Sequence, residues 1–335
     1  MSVHDLSSED IDALLRPVAH RALEAYGLPP DCTLTLVNVS ENATYRLDDP
    51  DTGRRSVLRL HRRGYHDAVA IESELAWLEA VRLETGLRTP KVISALDGRQ
   101  VVSLSEDGEV GPRHIVRFEF LPGDEPAQDA GLPEWFELLG GVTARLHRHA
   151  RSWRPPPGWR RFAWDVNATF GTEARWGRWQ DGIAVGGAER EILTRLEQTL
   201  RRRLAAFGQG PDRYGLIHAD LRLANLLIDD GETYLIDFDD CGQGWFMYDF
   251  GSAVSFFEHD PRIPELIDAW VRGYRTVEPL SAADQQEIPT FVLMRRLLLV
   301  AWIGSHSGTE LARSMGAEYT GTSCRLAEEY LSAFG

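Results

Sequence analysis

The spacing of apolar residues divides the first third of the chain into one helix followed by short strands. Residues 7–26 open with serines and acids and then repeat apolar positions at helical spacing, which predicts an amphipathic helix. From residue 34 the pattern changes to the short strands LTLVNV, ATYRL and SVLRLHR. The DDPDTG stretch at 48–53 predicts a hairpin turn between the last two. A helix over 68–83 and strands at KVISAL and HIVRFEF would complete a small sheet with one helix packed on it.

After the sequence Leu121-Pro122-Gly123 the pattern becomes mainly helical. Helices are predicted over 134–150, 188–207, 262–275, 283–304 and 309–333. One short β patch, LLIDDGETYLIDF, lies among them. We therefore expect an α+β fold with a β-rich N-terminal lobe over 1–118, a hinge over 119–123 and a mainly helical C-terminal lobe over 124–335.

Two segments need separate interpretation. The most apolar stretch, 291–304, is too short for a bilayer and carries Arg295 and Arg296 at its centre, so it predicts a buried core helix. Between Trp153 and Trp179 lie five of the ten tryptophans. They form either an aromatic-rich packed insertion or a lid over a substrate pocket.

Charge limits the classes of partner. Lysine and arginine together number 36 against 51 aspartates and glutamates, a net charge of −15, and Lys91 is the single lysine in the sequence. This balance argues against a nucleic acid or an anionic membrane as the main partner. Any phosphate must be held by a metal or by local cations, which are almost all arginines.

The cysteines and the N-terminus point to a cytoplasmic protein. Cys32, Cys241 and Cys324 are widely spaced and form no CxxC pair, so a reducing compartment is the simplest expectation. The first residues, MSVHDLSSEDIDALL, lack the basic and apolar regions of a signal peptide.

The most specific chemical signal is HADLRLAN, from His218 to Asn225, followed twelve residues after Asn225 by Asp237-Phe238-Asp239. Asp220 and Asn225 lie on a loop that enters a short strand, and the predicted hairpin returns the chain to Asp237. One amide oxygen and two carboxylates would thus converge. Such a set suits a hard cation such as Mg²⁺, with one acid left to accept a proton.

This combination resembles the kinase catalytic loop, H-x-D-x-x-x-x-N, and the metal-binding D-F-G or D-F-D that follows it. HADLRLAN and LIDFDD are similar to the hallmarks of the aminoglycoside phosphotransferase and choline kinase-like family, which has a bilobal protein-kinase-like fold. The resemblance covers most of the chain, including SENATYRL, SVLRLHR and RFEFLPG. Within this family, the general character of the sequence favours the branch that contains type II homoserine kinase, hydroxylysine kinase and stress response kinase A.

The resemblance implies roles for the loop residues. Asp220 matches the catalytic aspartate, which orients the acceptor hydroxyl and accepts its proton. Asn225 and Asp237 match the metal ligands, and His218 a structural histidine that holds the loop. Arg222 is expected either to neutralise charge on the transferring phosphoryl group or to be an ordinary solvated arginine.

Two further acids extend the same motif. Asp239 is either a further ligand or acceptor contact, or a structural residue. Asp249 is expected to hold the catalytic segment in place and not to contact the substrate.

The N-terminal lobe departs from the family pattern at the position of the basic residue that binds the nucleotide phosphates. Arg59 replaces the lysine that grips the nucleotide phosphates, and arginine can bind phosphate bidentately. Its alternative is a surface-strand arginine. Glu74 is the expected partner of Arg59, with Glu72 as the alternative, since the two acids lie on different helix faces.

The other nucleotide contacts are also implied by the resemblance. The turn at 39–43 lacks the glycine-rich motif, so Ser40, Asn42 and backbone N–H groups are expected to cover the phosphates. Glu119, Phe120 and Leu121 match the hinge, where backbone groups would meet adenine.

These features predict an ATP- and Mg²⁺-dependent kinase that phosphorylates a hydroxyl of a small molecule, such as an amino alcohol, a hydroxy amino acid or an aminoglycoside-like compound. Asp240, Cys241 and the short run GQGWFMY are all that lies between Asp239 and Asp249. This leaves no room for a long activation segment. A Ser/Thr protein kinase like stress response kinase A, and a pseudokinase marked by Arg59, remain the alternatives. GTP remains an alternative donor.

Overall fold

A computed structural model describes residues 8–39, 42–105, 110–127, 131–308 and 310–335. The chain forms two compact units. Unit 1 contains the described residues up to Asp124, together with Arg154–Arg161 and Leu227–Asp239. Unit 2 contains Glu125–Trp153, Phe162–Leu226 and Asp240–Gly335.

The strands and helices of the described residues are as follows. The strands are β1 Thr33–Val39, β2 Ala43–Asp48, β3 Arg55–Leu60, β4 Val92–Ile93, β5 Val102–Leu104, β6 Arg113–Glu119, β7 Ala163–Trp164, β8 Tyr214–Ile217, β9 Leu226–Asp229, β10 Glu232–Leu235 and β11 Gly242–Trp245. The helices are α1 Ser8–Ala25, α2 Ala68–Glu84, α3 Leu132–Ser152, α4 Val166–Phe170, α5 Gly187–Phe207, α6 Tyr248–Ala253, α7 Ile263–Arg275, α8 Ala282–Ser305 and α9 Glu310–Phe334.

The sheet of unit 1 has the order β1-β2-β3-β6-β4, with β5 also paired to β6, and its pairs are antiparallel. The predicted β2–β3 hairpin is confirmed, since the Asp49 N–H donates to Arg54 O at 3.0 Å and Gly53 has a φ of 67°. Helix α1 packs its apolar face on this sheet. Strand β4 is shorter than the KVISAL run because the chain turns after it, where the Ala95 N–H donates to Arg99 O at 2.8 Å.

Unit 2 is mainly helical, and its tightest helix pair is α3 with α7. A Cβ atom on Gly140 would lie 2.0 Å from Trp270 O, and one on Gly273 would lie 1.7 Å from Glu137 O. Only glycine therefore permits this close backbone approach. The expectation of a single β patch in this part of the chain is wrong, because β7, β11 and β8 form a second sheet. These strands have two to four residues, and β11 is Gly-Gln-Gly-Trp, so neither length nor alternation marks them.

Helix α8 is the buried core helix predicted from the apolar stretch. By length and composition it could cross a membrane, but its residues from Phe291 to Ala301 are buried inside unit 2, with both arginines among them. Burial of two arginines requires partners, which are described below.

Three of the five clustered tryptophans belong to the core of unit 2: Trp164, Trp176 and Trp179 are at most 6% exposed. The Trp164 indole N–H donates to Asp240 O at 2.8 Å, and that of Trp179 donates to Glu197 Oε2 at 2.6 Å. The packed interpretation is therefore confirmed for these three.

Candidate active site

The HADLRLAN segment forms a buried loop in unit 2, directly after β8. Asp220 is 9% exposed, and residues Leu223–Asn225 form one 3₁₀ turn. The Asn225 Nδ2 donates to the Asp220 backbone O at 2.6 Å and to Asp220 Oδ2 at 3.0 Å. These bonds fix both side chains and orient the Asn225 amide oxygen away from Asp220.

Two arginines contact the Asp220 carboxylate. Arg222 Nε lies 3.2 Å from its oxygens, and Arg295 Nη2 donates to Oδ1 at 3.0 Å. Burial alone would raise the pKa of Asp220, but the charges of Arg222 and Arg295 and the bond from Asn225 hold it below its ordinary value. Asp220 is therefore ionised at neutral pH.

Asp249 on α6 holds the backbone of the loop, as the sequence predicts. Its Oδ1 accepts from the Ala219 N–H at 2.7 Å, and its Oδ2 accepts from the His218 N–H at 3.3 Å and lies 2.9 Å from His147 Nε2. The Asp220 N–H donates to His218 Nδ1 at 3.3 Å, which confirms that this histidine holds the loop. Ala219 has a φ of 66°, a conformation that a residue other than glycine keeps only when its surroundings enforce it.

Replacing Asp249 with leucine should lower the free energy of unfolding by about 3 kcal/mol or more, because two backbone N–H groups and the His147 ring lose a buried acceptor. Activity should fall as well, since the loop is no longer held. The urea midpoint and the phosphoryl transfer rate of the variant measure both effects. The exposed Asp268→Asn on α7 is the control; equal urea midpoints in the two variants would refute this role of Asp249.

Unit 1 contains the second predicted group, centred on Arg59 of β3. Arg59 Nη2 donates to Glu74 Oε1 of α2 at 2.5 Å, so Glu74 and not Glu72 is its partner. The Arg59 guanidinium lies 5.0 Å from the Phe118 ring centroid and its Nη1 lies 3.8 Å from Asp237 Oδ1. Burial alone would lower the pKa of Arg59, but Glu74, Asp239 and Asp237 raise it. The surface-strand interpretation of Arg59 is wrong, because this residue is only 7% exposed.

Within the described residues, Arg59 Nε and Glu74 Oε2 are buried without a hydrogen-bond partner. A buried guanidinium with an unused donor is suited to an anionic ligand such as a phosphate. The position and chemistry of Arg59 therefore fit the nucleotide phosphates.

Asp239 lies in the interior of unit 1. Its Oδ1 is 3.5 Å from His61 Nδ1 and its Oδ2 is 3.6 Å from His66 Nε2, while Arg161 donates to its backbone oxygen. Burial and the charge of Arg59 hold the pKa of His61 well below its ordinary value, so this ring is neutral. Asp239 Oδ1 is nevertheless buried without a hydrogen-bond partner among the described residues, so its structural role and its role as a ligand both stay predictions.

The two expected metal ligands, Asn225 and Asp237, carry oxygen donors. Among the described residues, no group of three histidines, cysteines or acids is arranged to hold a metal ion. Asn225 offers a buried amide oxygen in unit 2, and Asp237 offers a carboxylate in unit 1 that is about half exposed. An amide oxygen and a carboxylate are each ligand types that Mg²⁺ accepts, and their joint role stays a prediction.

The remaining residues that were predicted to contact the nucleotide lie in the β1–β2 turn and at the end of β6. Asn42 Oδ1 accepts from the Arg62 N–H at 3.1 Å and so joins the β1–β2 turn to the end of β3. Ser40 lies outside the described residues. Glu119 pairs its backbone N–H with Lys91 O at 2.9 Å and its Oε1 accepts from the Lys91 N–H at 3.1 Å. Leu121 follows the end of β6, and the adenine contacts of both hinge residues stay predictions.

Several residues of these groups were not predicted from the sequence: Arg295 against Asp220, His147 against Asp249, and His61, His66 and Arg161 against Asp239. One signal did exist for Arg295. A charge in the middle of the most apolar segment has to be paired once that segment is buried.

Known proteins resemble this chain in sequence and in structure. A protein-family model described as "Phosphotransferase enzyme family" matches residues 33–284. The solved structure of a microcompartment-associated aminopropanol kinase is 48% identical, covers 96% of this chain and 98% of its own, and has a TM-score of 0.89. Amicoumacin kinase of Bacillus subtilis is 27% identical over 236 residues, 68% of this chain and 67% of the relative. Stress response kinase A of Salmonella paratyphi A is 23% identical over 288 residues, 84% of this chain and 80% of the relative.

Proposed function

The chain belongs to the phosphotransferase enzyme family, and from that premise we propose that it transfers the γ-phosphoryl group of ATP to the hydroxyl of a short amino alcohol. Membership confirms the family resemblance, the kinase-like α+β fold and the prediction of a kinase that acts on small-molecule hydroxyls. The acceptor, the metal ion and the residue roles below are the proposal.

In this proposal Asp220 receives the acceptor. Its ionised carboxylate accepts a hydrogen bond from the acceptor hydroxyl, orients the oxygen toward the γ-phosphorus and takes the proton as the new bond forms. A carboxylate whose pKa is held low by two arginines is a weak base. Orientation of the hydroxyl is therefore its larger contribution.

Arg59 is assigned to the phosphates of ATP, with Glu74 fixing its guanidinium, and the backbone at Glu119 and Leu121 to adenine. Asn225 and Asp237 are assigned to the Mg²⁺ ion. When bound, the ion neutralises charge on the phosphates. Arg222, whose side chain is 33% exposed, is assigned to the transferring phosphoryl group.

The observation that carries the acceptor class is the 48% identity with an aminopropanol kinase over 96% of the chain. The likenesses to amicoumacin kinase and stress response kinase A are weaker, at 27% and 23% identity. We also place the reaction in the cytoplasm, since Cys32, Cys241 and Cys324 are buried and form no disulfide.

The test measures ADP release from ATP in the presence of Mg²⁺. We expect 1-amino-2-propanol or ethanolamine to raise the rate about tenfold or more over water alone, because a bound hydroxyl is held for attack. Propan-2-ol lacks the amine and 1-aminopropane lacks the hydroxyl, and neither should stimulate release. Chelation of Mg²⁺ should abolish it. Stimulation by homoserine or by a serine-containing protein, with none by the amino alcohols, would contradict the acceptor class.

A further inference from the structure

Arg295 of α8 is a cation buried against the catalytic loop. Its Nη2 donates to Asp220 Oδ1 at 3.0 Å, its Nε to Ser255 Oγ at 3.0 Å and its Nη1 to Tyr248 Oη at 3.2 Å. Nη1 also lies 3.4 Å from the backbone oxygen of Ala219. Every nitrogen of the guanidinium is thus occupied by a group of unit 2.

The flat face of the same guanidinium is also covered. Its carbon lies 4.8 Å from the centroid of the Trp176 ring, and the Arg295 side chain is 3% exposed. A guanidinium that is bonded at its edge and stacked on its face has one available orientation. Asp220 is therefore attached to a rigid point of the core.

The next residue on the helix serves as an internal comparison. Arg296 is equally buried, at 1% exposure, but it pairs with Glu258 at 2.5 Å and with the Ser323 hydroxyl at 2.8 Å. Within the described part of the chain, none of its hydrogen-bond partners, which are Glu258, Ser323 and the backbone oxygen of Tyr319, belongs to the catalytic loop. Burial of an arginine in α8 therefore does not by itself require a contact with Asp220.

We propose that Arg295 is a positioning residue for phosphoryl transfer, which holds the Asp220 carboxylate by Oδ1 in the orientation that receives the acceptor hydroxyl. This inference rests on the proposed function, because it assumes that Asp220 receives the hydroxyl. It also assigns different roles to the two arginines that contact Asp220. Arg295 is fixed and buried, whereas the partly exposed Arg222 has the freedom to turn to the phosphoryl group.

The physical reason is the geometry that the reaction demands. A hydroxyl in line with the γ-phosphorus has to be oriented within a few tenths of an ångström, and a carboxylate free to rotate would lose that orientation. Asn225 restrains Oδ2 and Arg295 restrains Oδ1, so both oxygens are fixed before the acceptor arrives. Arg295 thereby acts through Asp220 and not on the substrate.

The experiment is a double-mutant cycle on the full chain with ATP, Mg²⁺ and 1-amino-2-propanol. Arg295→Met should lower kcat by about 100-fold and leave KM for ATP within about threefold, and Arg295→Lys should recover part of the loss. In an Asp220→Asn background, Arg295→Met should change the residual rate by less than about threefold, because a residue that acts through Asp220 has nothing left to position.

Arg296→Met is the matched control for loss of a buried arginine. It should destabilise the chain, since Glu258 loses its partner, but its effect on kcat should be the same in the unaltered chain and in the Asp220→Asn background. Equal losses for Arg295→Met in both backgrounds would overturn the positioning role and leave a structural one. Failure of the proposed function is distinct, because the unaltered chain would then release no ADP with any amino alcohol.

Discussion

Asp220→Asn should lower kcat for phosphoryl transfer by about 10³-fold while the affinity for ATP stays within about threefold. The amide keeps the size of the carboxylate, and its one oxygen can still accept a hydrogen bond from Arg295. Its NH₂ group can neither accept the hydrogen bond that orients the acceptor hydroxyl nor take the proton. Single-turnover transfer to 1-amino-2-propanol measures the loss, and nucleotide affinity measured by calorimetry shows whether the rest of the site is intact.

The choice of asparagine follows from the packing around Asp220. Both asparagine and alanine remove the counter-charge of Arg295, but alanine would also remove the hydrogen-bond acceptor of its buried guanidinium, and inactivity could then reflect unfolding. Asp268→Asn, on the exposed face of α7, controls for the loss of one negative charge. An unchanged kcat in Asp220→Asn would remove Asp220 from the chemistry and with it the assignment of the loop.

The spacing of apolar residues was sufficient to predict which acid of helix α2 faces Arg59. Helix α2 buries Ile71, Glu74, Leu75 and Leu78, the spacing of a single helical face, so Glu74 points inward with the apolar residues. Glu72 is two positions away, on another face. Strand β3 does not give Arg59 in the same way, because alternation places this residue on the face opposite Leu58 and Leu60, yet all three residues are buried. The local pattern therefore predicts Glu74 as the partner, whereas burial of Arg59 comes from the packing of both faces of the strand.

Contacts over long sequence separations could not be predicted in this way. Arg295 and Asp220 are 75 residues apart, and His147 and Asp249 are 102 apart, in elements whose packing no local pattern specifies. The sheet of β7, β11 and β8 was missed for a related reason: its glycines are placed by close contacts, such as a Cβ on Gly244 that would lie 2.4 Å from the Ile217 side chain. Motifs identify the chemistry, but the residues that support it come from tertiary packing.

Burial of the Arg59–Glu74 pair has a consequence for any test of nucleotide binding. Breaking a buried ion pair by removing one partner leaves an uncompensated charge, whereas replacing both partners with apolar residues is often neutral. Since Glu74 is fully buried and Arg59 nearly so, a single substitution at either position changes stability and binding together. Only a paired substitution separates the two effects.

Arg59→Leu should therefore lower the free energy of unfolding by about 3–5 kcal/mol and weaken ATP binding about 10-fold to 100-fold, the latter from the loss of charge-assisted phosphate contacts. Arg59→Lys should lose less of both, because it keeps the charge but not the planar guanidinium. Urea unfolding and ATP titration of each variant measure the two quantities separately.

The double variant Arg59→Leu/Glu74→Leu decides between a phosphate contact and a purely structural pair. It should regain most of the stability, because no buried charge is left unpaired, while ATP binding stays as weak as in Arg59→Leu. The unused Arg59 Nε and the position of Asp237 Oδ1 at 3.8 Å from Nη1 are the features that favour this outcome. Recovery of ATP affinity together with stability would show instead that Arg59 serves only to neutralise Glu74.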